Sequence, residues 1–175
     1  LGRIVLSQNA KQLGNRYYSY TLYDGLGRIV ESGKCELSSD PVLGDLITGS
    51  FLVTNIHSRA EVSHTLYDKP YSIISGSNQQ EYLQNRVSAT MYYPSLSQTI
   101  TEIDDPANNS GSFGYGVPEQ AYLYDYDVLG NVKTLYAYSS DLSTAGHTYI
   151  TMAYDYDLLS GNVKMVSYEP ETDNA

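Results

Sequence analysis

Acidic residues stand in two Asp-Tyr-Asp triplets, at 125–127 and 155–157, and paired carboxylates could do chemistry. They could hold a calcium ion, or they could act as acid and base on a glycosidic bond. A calcium loop of the EF-hand type needs Glu at its twelfth position, and neither triplet is followed by one. The triplets also recur with a repeated sequence pattern, whereas an enzyme needs its acid pair once. We therefore expect these acids to be structural and the chain to be non-catalytic, with a glycosidase as the weakest alternative.

The histidines and the single cysteine form no recognisable site. His57 and His64 are expected on or near neighbouring strands, where they could meet. A metal site would need a third ligand, and no Cys or Glu stands at a suitable spacing. Cys35 is the only cysteine, so the chain cannot form an internal disulfide, and a single thiol does not identify a catalytic nucleophile. The sequence also lacks a Gly-x-Ser-x-Gly elbow. We expect strand histidines that are packed or solvated, with no metal and no cofactor.

The element that must position these residues is a β-hairpin over residues 122–138. From 122 to 128, and again from 132 to 138, every second position is Tyr, Val or Thr, which is the spacing of a strand. Between them lies Asp127-Val128-Leu129-Gly130. The Asp carboxylate can accept from backbone N–H groups two residues on, and Gly takes a positive φ freely. The stretch predicts a type I turn closed by a Gly bulge.

The same pattern recurs along the chain. Residues 23–30 and 156–164 repeat it, the latter with one extra residue before the Gly, and residues 1–5 are identical to residues 26–30. Two weaker copies, at 65–68 and 90–94, lack the Gly. The motif positions are Tyr23, Asp24, Gly27, Arg28, Tyr67, Asp68, Tyr126, Asp127, Gly130, Asn131, Tyr156, Asp157, Gly161 and Asn162.

The pattern Tyr-Asp-x-x-Gly-(Arg/Asn)-(Ile/Val) resembles the YD repeat, also called the Rhs repeat. This family includes bacterial Rhs proteins, the cocoon-forming subunits of insecticidal toxin complexes, and teneurins. The resemblance implies an all-β fold of consecutive antiparallel hairpins in a twisted, spiralling sheet that closes as a shell. It implies a structural wall segment that encloses a C-terminal toxin or effector polypeptide, in a parent that is secreted or on the cell surface of a bacterium.

Composition bears on the possible partners. The formal net charge is −10, which repels nucleic acid and anionic membranes. The chain has no apolar run of membrane-spanning length, so no membrane helix is expected, and no signal peptide is expected within it. Its nineteen tyrosines favour half-buried sheet positions. They either pack across strands or form a face that binds glycan or peptide, so an extracellular binding module is the alternative function.

Residues 1–175 are expected to form one repeat segment of a larger protein. Its partners would be the flanking repeats and an enclosed polypeptide, and its open sheet edges could self-associate. The expected strands are 1–6, 16–24, 28–37, 51–56, 60–67, 86–93 and 97–103, followed by hairpins at 119–138 and 148–168. Short helices are expected within 38–50 and 77–86, a loop at 104–118, and a frayed tail at 169–175.

Overall fold

A computed structural model describes residues 3–42, 55–71, 80–96, 117–144 and 147–172. The nine strands within these residues form one sheet in which spatial order follows chain order. Neighbouring strands among the first four, and among the last four, pair in antiparallel orientation. The predicted all-β fold of consecutive hairpins is confirmed. The strands are β1 (Leu6–Ser7), β2 (Tyr17–Tyr23), β3 (Ile29–Leu37), β4 (Ile56–Tyr67), β5 (Val87–Leu96), β6 (Gln120–Tyr126), β7 (Val132–Ser139), β8 (His147–Tyr156) and β9 (Val163–Thr172).

The chain divides into two compact units. Unit 1 comprises residues 1–64 and 92–116, and unit 2 comprises residues 65–91 and 117–175. That both belong to one YD-repeat segment stays a prediction.

In unit 1, the hairpin of β2 and β3 turns one face toward an apolar core. Every second residue of β2 is buried, as the alternation predicts. Gly33 on β3 lies against the backbone of β4, where an added Cβ would stand 3.1 Å from the Ala60 carbonyl oxygen. Glycine therefore allows the two strands to approach closely at this point. The core residues are Tyr18, Tyr20, Leu22, Cys35, Leu37 and Ile56.

In unit 2, β6 to β9 form two consecutive hairpins at the predicted places. The buried side of β6 carries Ala121, Leu123 and Asp125, each no more than 3% exposed. A short helix that was not predicted, α1 (Ser140–Thr144), connects β7 to β8. The Ser140 backbone N–H donates to the Glu119 carbonyl at 2.9 Å, which ties the start of α1 to the start of β6.

Several predicted boundaries are wrong. Residues 57–59 lie within β4 rather than between two strands, because two irregularities in its register with β3 absorb the breaks in alternation. One lies between Ile56 and Ser58, and the other lies near Glu61, which has a φ of 51°. Residues 80–86 are not helical, because the Gln80 side chain holds this segment against strand backbone. β1 begins only at Leu6. β9 continues to Thr172, because β8 begins early enough to pair with it.

Other predictions fall wholly or partly outside the described residues. They are the strand at 97–103, the loop at 104–118 up to residue 116, residues 51–54 of the strand at 51–56, residues 77–79 of the helix within 77–86, and residues 173–175 of the tail. The helix within 38–50 is not present over 38–42, and its remainder lies outside. In the part of the chain that the structure describes, no helix is long and apolar enough to cross a membrane.

Candidate functional site

The turn at residues 127–131 shows why the motif needs its residues. The Gly130 N–H donates to the Asp127 carbonyl at 3.0 Å, and the Asp127 N–H donates to the Asn131 carbonyl at 2.9 Å. The Asp127 carboxylate accepts from the backbone N–H of Asn131 and from its side-chain amide, both at 2.9 Å. Gly130 has a φ of 96°, where a side chain would be strained. Asp and Gly together close the hairpin.

The turns after Asp24 and Asp157 are built in the same way. The Asp24 N–H donates to the Arg28 carbonyl, and the Asp157 N–H donates to the Asn162 carbonyl, both at 2.9 Å. The glycines at 27 and 161 have φ values of 81° and 69°. The extra residue in the third turn, Ser160, donates its N–H and its hydroxyl to the Asp157 carboxylate. The insertion is therefore absorbed by the capping side chain.

The turn carboxylates have lowered pKa values. The side-chain amide of Asn131, followed by backbone N–H groups, lowers the pKa of Asp127 although burial opposes the shift. Backbone and hydroxyl donors of Ser160 lower the pKa of Asp157. For Asp24, burial is the largest influence and acts upward, but hydrogen bonds and charge from Arg28 together lower its pKa. These acids are ionised acceptors and do not serve as proton donors near neutral pH.

A fourth turn of this kind is present although its sequence copy lacks the Gly. The Asp68 N–H donates to the Arg86 carbonyl at 3.1 Å, which closes the end of β4 to the start of β5. The Asn85 N–H donates to the Asp68 carboxylate at 2.5 Å, and Asn85 has a φ of 59°. Asn85 thus occupies the place of the turn glycine, and Asn adopts a positive φ more readily than most residues. Residues 69–84 are an insertion within this turn.

This turn was not predicted because its two halves lie far apart in the chain. The signal that could have found it is Asn85-Arg86-Val87, which matches Gly27-Arg28-Ile29 once Asn is allowed at the Gly position. The other weak copy, at 90–94, is different. It lies inside β5, where Tyr93 is buried.

Motif tyrosines bond the chain that follows a motif Arg or Asn. In three cases the tyrosine hydroxyl donates to the backbone carbonyl of the Ile or Val directly after that Arg or Asn. The acceptors Val87 and Val132 follow the turns that close at Arg86 and Asn131, so the bonds from Tyr126 and Tyr156 connect one turn to the turn before it. The pairs are Tyr23 with Ile4 at 3.2 Å, Tyr126 with Val87 at 2.8 Å, and Tyr156 with Val132 at 2.8 Å.

The motif arginine adds a second connection. Arg3 and Arg86 each lie over the tyrosine ring of the following turn, with 5.2 Å from the guanidinium carbon to the ring centroid. Each guanidinium also covers the glycine of that following turn. A Cβ at Gly27 would collide with Arg3, and one at Gly130 would lie 2.5 Å from an Arg86 nitrogen. Where Asn131 replaces Arg, the next glycine, Gly161, has open space around it.

The first acids of the two Asp-Tyr-Asp triplets have separate roles. Asp125 is buried and accepts the backbone N–H of Glu81 at 2.7 Å, so it holds the insertion against β6. Its other oxygen lies 3.5 Å from Lys133. Asp155 is more than half exposed and lies 3.9 Å from Lys164. Among the residues that the structure describes, no group of three or more acids, histidines or cysteines could hold a metal ion.

Unit 1 contains a buried ionic cluster that sequence analysis did not identify. Glu31 is 1% exposed and accepts from the Tyr20 hydroxyl at 2.5 Å and from Arg59 at 2.8 Å. The His64 Nδ1 lies 3.6 Å from its second carboxylate oxygen. Burial, and then the Glu31 charge, raise the pKa of Tyr20. The sequence feature that could have indicated this cluster is Glu31 itself, a charged residue on the buried side of β3.

His57 and His64 lie on the same strand, β4, rather than on neighbouring strands where they could meet. His57 is exposed, whereas His64 is buried beside Glu31, its direct partner across β3 and β4.

The described arrangement suits a structural role. The carboxylates of the motif cap turns, the tyrosine hydroxyls bond backbone carbonyls, and the buried Glu31 is engaged by Tyr20 and Arg59. Comparison with known protein families and with curated proteins found no match.

Proposed function

We propose that this chain is a wall segment of a YD-repeat shell, a non-catalytic sheet that encloses a C-terminal toxin or effector polypeptide. The observation that carries the proposal is the repeated connection between turns. A tyrosine hydroxyl beside one turn bonds the backbone beside the turn before it at two places, and Tyr23 makes the same bond to Ile4, the equivalent position of the first repeat copy. Such a connection needs nothing from a ligand, and it can be extended to any number of hairpins.

The chemistry of the connection suits a wall. Because each bond ends on a backbone carbonyl, the preceding turn can vary its side chains and still be joined. A hydrogen bond of this kind contributes about 0.5–1.5 kcal/mol, so stability would accumulate along an array as neighbour terms. The sheet itself supplies continuity, because each internal strand pairs with a neighbour on both sides.

The parent protein would be secreted or on the surface of a bacterial cell. The chain's open ends would pair with flanking repeats of the same parent, and the enclosed polypeptide would lie against the sheet. Neither partner requires a cofactor or an acid–base pair, which agrees with the structural use of the motif acids.

Sequencing the coding region on both sides of Leu1 and Ala175 tests this function directly. We expect further Tyr-Asp-x-x-Gly units on both sides, followed by an unrelated C-terminal segment. Electron microscopy of the expressed parent should then show a hollow particle, and protease should spare the C-terminal segment until the particle is unfolded. A parent without further units, or a C-terminal segment that is digested in the intact particle, would contradict the proposal. The first of these outcomes would favour the extracellular binding module.

A further inference from the structure

One face of unit 2 is apolar across four strands and is open to solvent. The register of β6 to β9 places its residues side by side: Leu135 pairs with Tyr124 and Met152, and Met152 pairs with Tyr168. We call this surface the tyrosine face. Its members are Tyr122, Tyr124, Leu135, Ala137, Ile150, Met152, Tyr154, Val166 and Tyr168.

The tyrosine face carries no charge, although the chain has a net charge of −10. The solvated side of an antiparallel sheet is ordinarily polar. Here the central members are half-buried by their neighbours, while Tyr122, Val166 and Tyr168 are 42%, 51% and 61% exposed. The opposite side of the same strands carries the ionisable side chains of Asp125 and Asp155. Charge is thus excluded from one face only.

The chemistry of this face argues against several occupants. A sugar could stack on the tyrosine rings, but only the tyrosine hydroxyls of the face could bond its hydroxyl groups, so the face suits an apolar occupant better. A charged polypeptide would find no partner charges. An apolar surface that is flat and uncharged matches another surface with the same properties, and sheets with apolar faces pack face to face about 10 Å apart.

We propose that the tyrosine face packs against the same face of a second copy of this chain, to form a two-layer β-sandwich. The contact would be isologous, because each copy contributes the same residues. The face lets two acidic chains approach without bringing their carboxylates together. The proposal goes beyond the shell function and does not depend on it.

The area indicates how strong this association would be. A fully buried tyrosine removes 150–250 Å² from water. Three members of the tyrosine face are about half exposed and the other six less so, and their exposed parts together amount to roughly 500 Å² on each copy. The total of roughly 1,000 Å² lies at the low end of specific interfaces. Area alone does not fix the affinity, but interfaces of this size associate weakly and reversibly. We take a dissociation constant on the order of 10–100 μM as the expected value.

Sedimentation equilibrium of the 175-residue chain, from about 5 to 500 μM, tests the proposal across that range. The wild-type chain should pass from monomer to dimer. Val166→Lys, on the tyrosine face, should weaken dimerisation at least about tenfold, because each copy would bring a charge into an apolar contact. Met165→Lys is the matched control. Met165 is next to Val166 on β9, is 55% exposed and lies on the opposite face, so this substitution should leave the dimer unchanged.

Tyr168→Phe provides a second variant that keeps the ring and removes the hydroxyl, and it should retain the dimer. Circular dichroism confirms that each variant is folded. A chain that stays monomeric throughout would overturn the proposal. So would equal weakening by Val166→Lys and Met165→Lys, because that result would place the contact at the edge of β9 instead. Neither result would bear on flanking repeats in the parent.

Discussion

Two glycines in equivalent turns provide a matched test of the connection between turns. Gly130 and Gly161 both have positive φ, so replacement by Ala should strain either turn by about 1–2 kcal/mol. The two glycines differ in the atoms that an added Cβ would meet. A Cβ at Gly130 would stand 2.5 Å from the Arg86 Nη2 atom and 3.1 Å from its Cζ atom, whereas one at Gly161 would meet nothing within 4 Å.

The additional cost at Gly130 follows from what Arg86 must give up when it moves. Its stacking on Tyr126 is worth about 0.5–1 kcal/mol at an exposed site. Its hydrogen bond to the Tyr82 carbonyl, at 2.6 Å, is worth about another 1 kcal/mol. We therefore expect Gly130→Ala to lower the free energy of unfolding by about 1–2 kcal/mol more than Gly161→Ala does.

Urea denaturation followed by tyrosine fluorescence and circular dichroism measures both variants. Because φ is 96° at Gly130 and 69° at Gly161, the two backbones are not equally strained, and a double-mutant cycle separates this effect. In an Arg86→Ala background, Gly130→Ala should lose the additional cost, while Gly161→Ala should cost what it did before. If the full difference between the glycines persists without Arg86, then the guanidinium does not connect the turns and the reasoning is refuted.

Other variants test the buried cluster, the turn acids and the thiol. Glu31→Gln should cost about 3–5 kcal/mol in urea denaturation because Arg59 stays buried without its counter-charge, and Glu31→Leu combined with Arg59→Met should cost less than Glu31→Gln; equal or greater loss in the double variant would contradict this. The lowered pKa values of turn acids such as Asp127 mean that the folded chain binds fewer protons than the unfolded chain. Their stabilisation is therefore complete above the unfolded value of about 3.9 and is lost as pH falls through the folded value. The urea concentration at the unfolding midpoint should decrease as the pH is lowered below about 5, and it should decrease less steeply for Asp127→Asn. An identical pH dependence in that variant would refute a lowered pKa for Asp127. Burial raises the pKa of Cys35 to about 12 although Arg59 opposes the shift, so alkylation by iodoacetamide should occur only at the rate of unfolding; fast alkylation of the native chain would show that the core is open.

The hairpins and their turns could be predicted from the sequence because their chemistry is local. Asp127 and Gly130 lie within one turn, and their hydrogen bonds join residues three or four positions apart. Strand alternation needs no more than the pattern of the strand itself. These features do not depend on which strand lies beside which.

The remaining features depend on register between distant segments. Glu31 meets Arg59 across 28 positions, and Asp125 meets the Glu81 backbone across 44. Neither separation leaves a local signature, so Asp125 has no evident role in the sequence. The tyrosine hydroxyls are a third case: the sequence shows that the ring recurs, but its acceptor lies on another hairpin.

The turn that begins at Asp68 has a consequence for how such a sheet can change during evolution or design. Sixteen residues, from Lys69 to Gln84, stand between Asp68 and Asn85, yet Asp68, Asn85 and Arg86 close the turn as the short turns are closed. The end of the insertion is nevertheless anchored to the sheet, because Gln80 bonds the backbone of β5 and β6 and the Glu81 N–H bonds Asp125. New sequence grafted into this turn would therefore have to keep these contacts to leave the sheet unchanged. A repeat protein of this kind can acquire a new surface through one turn while its backbone architecture is conserved.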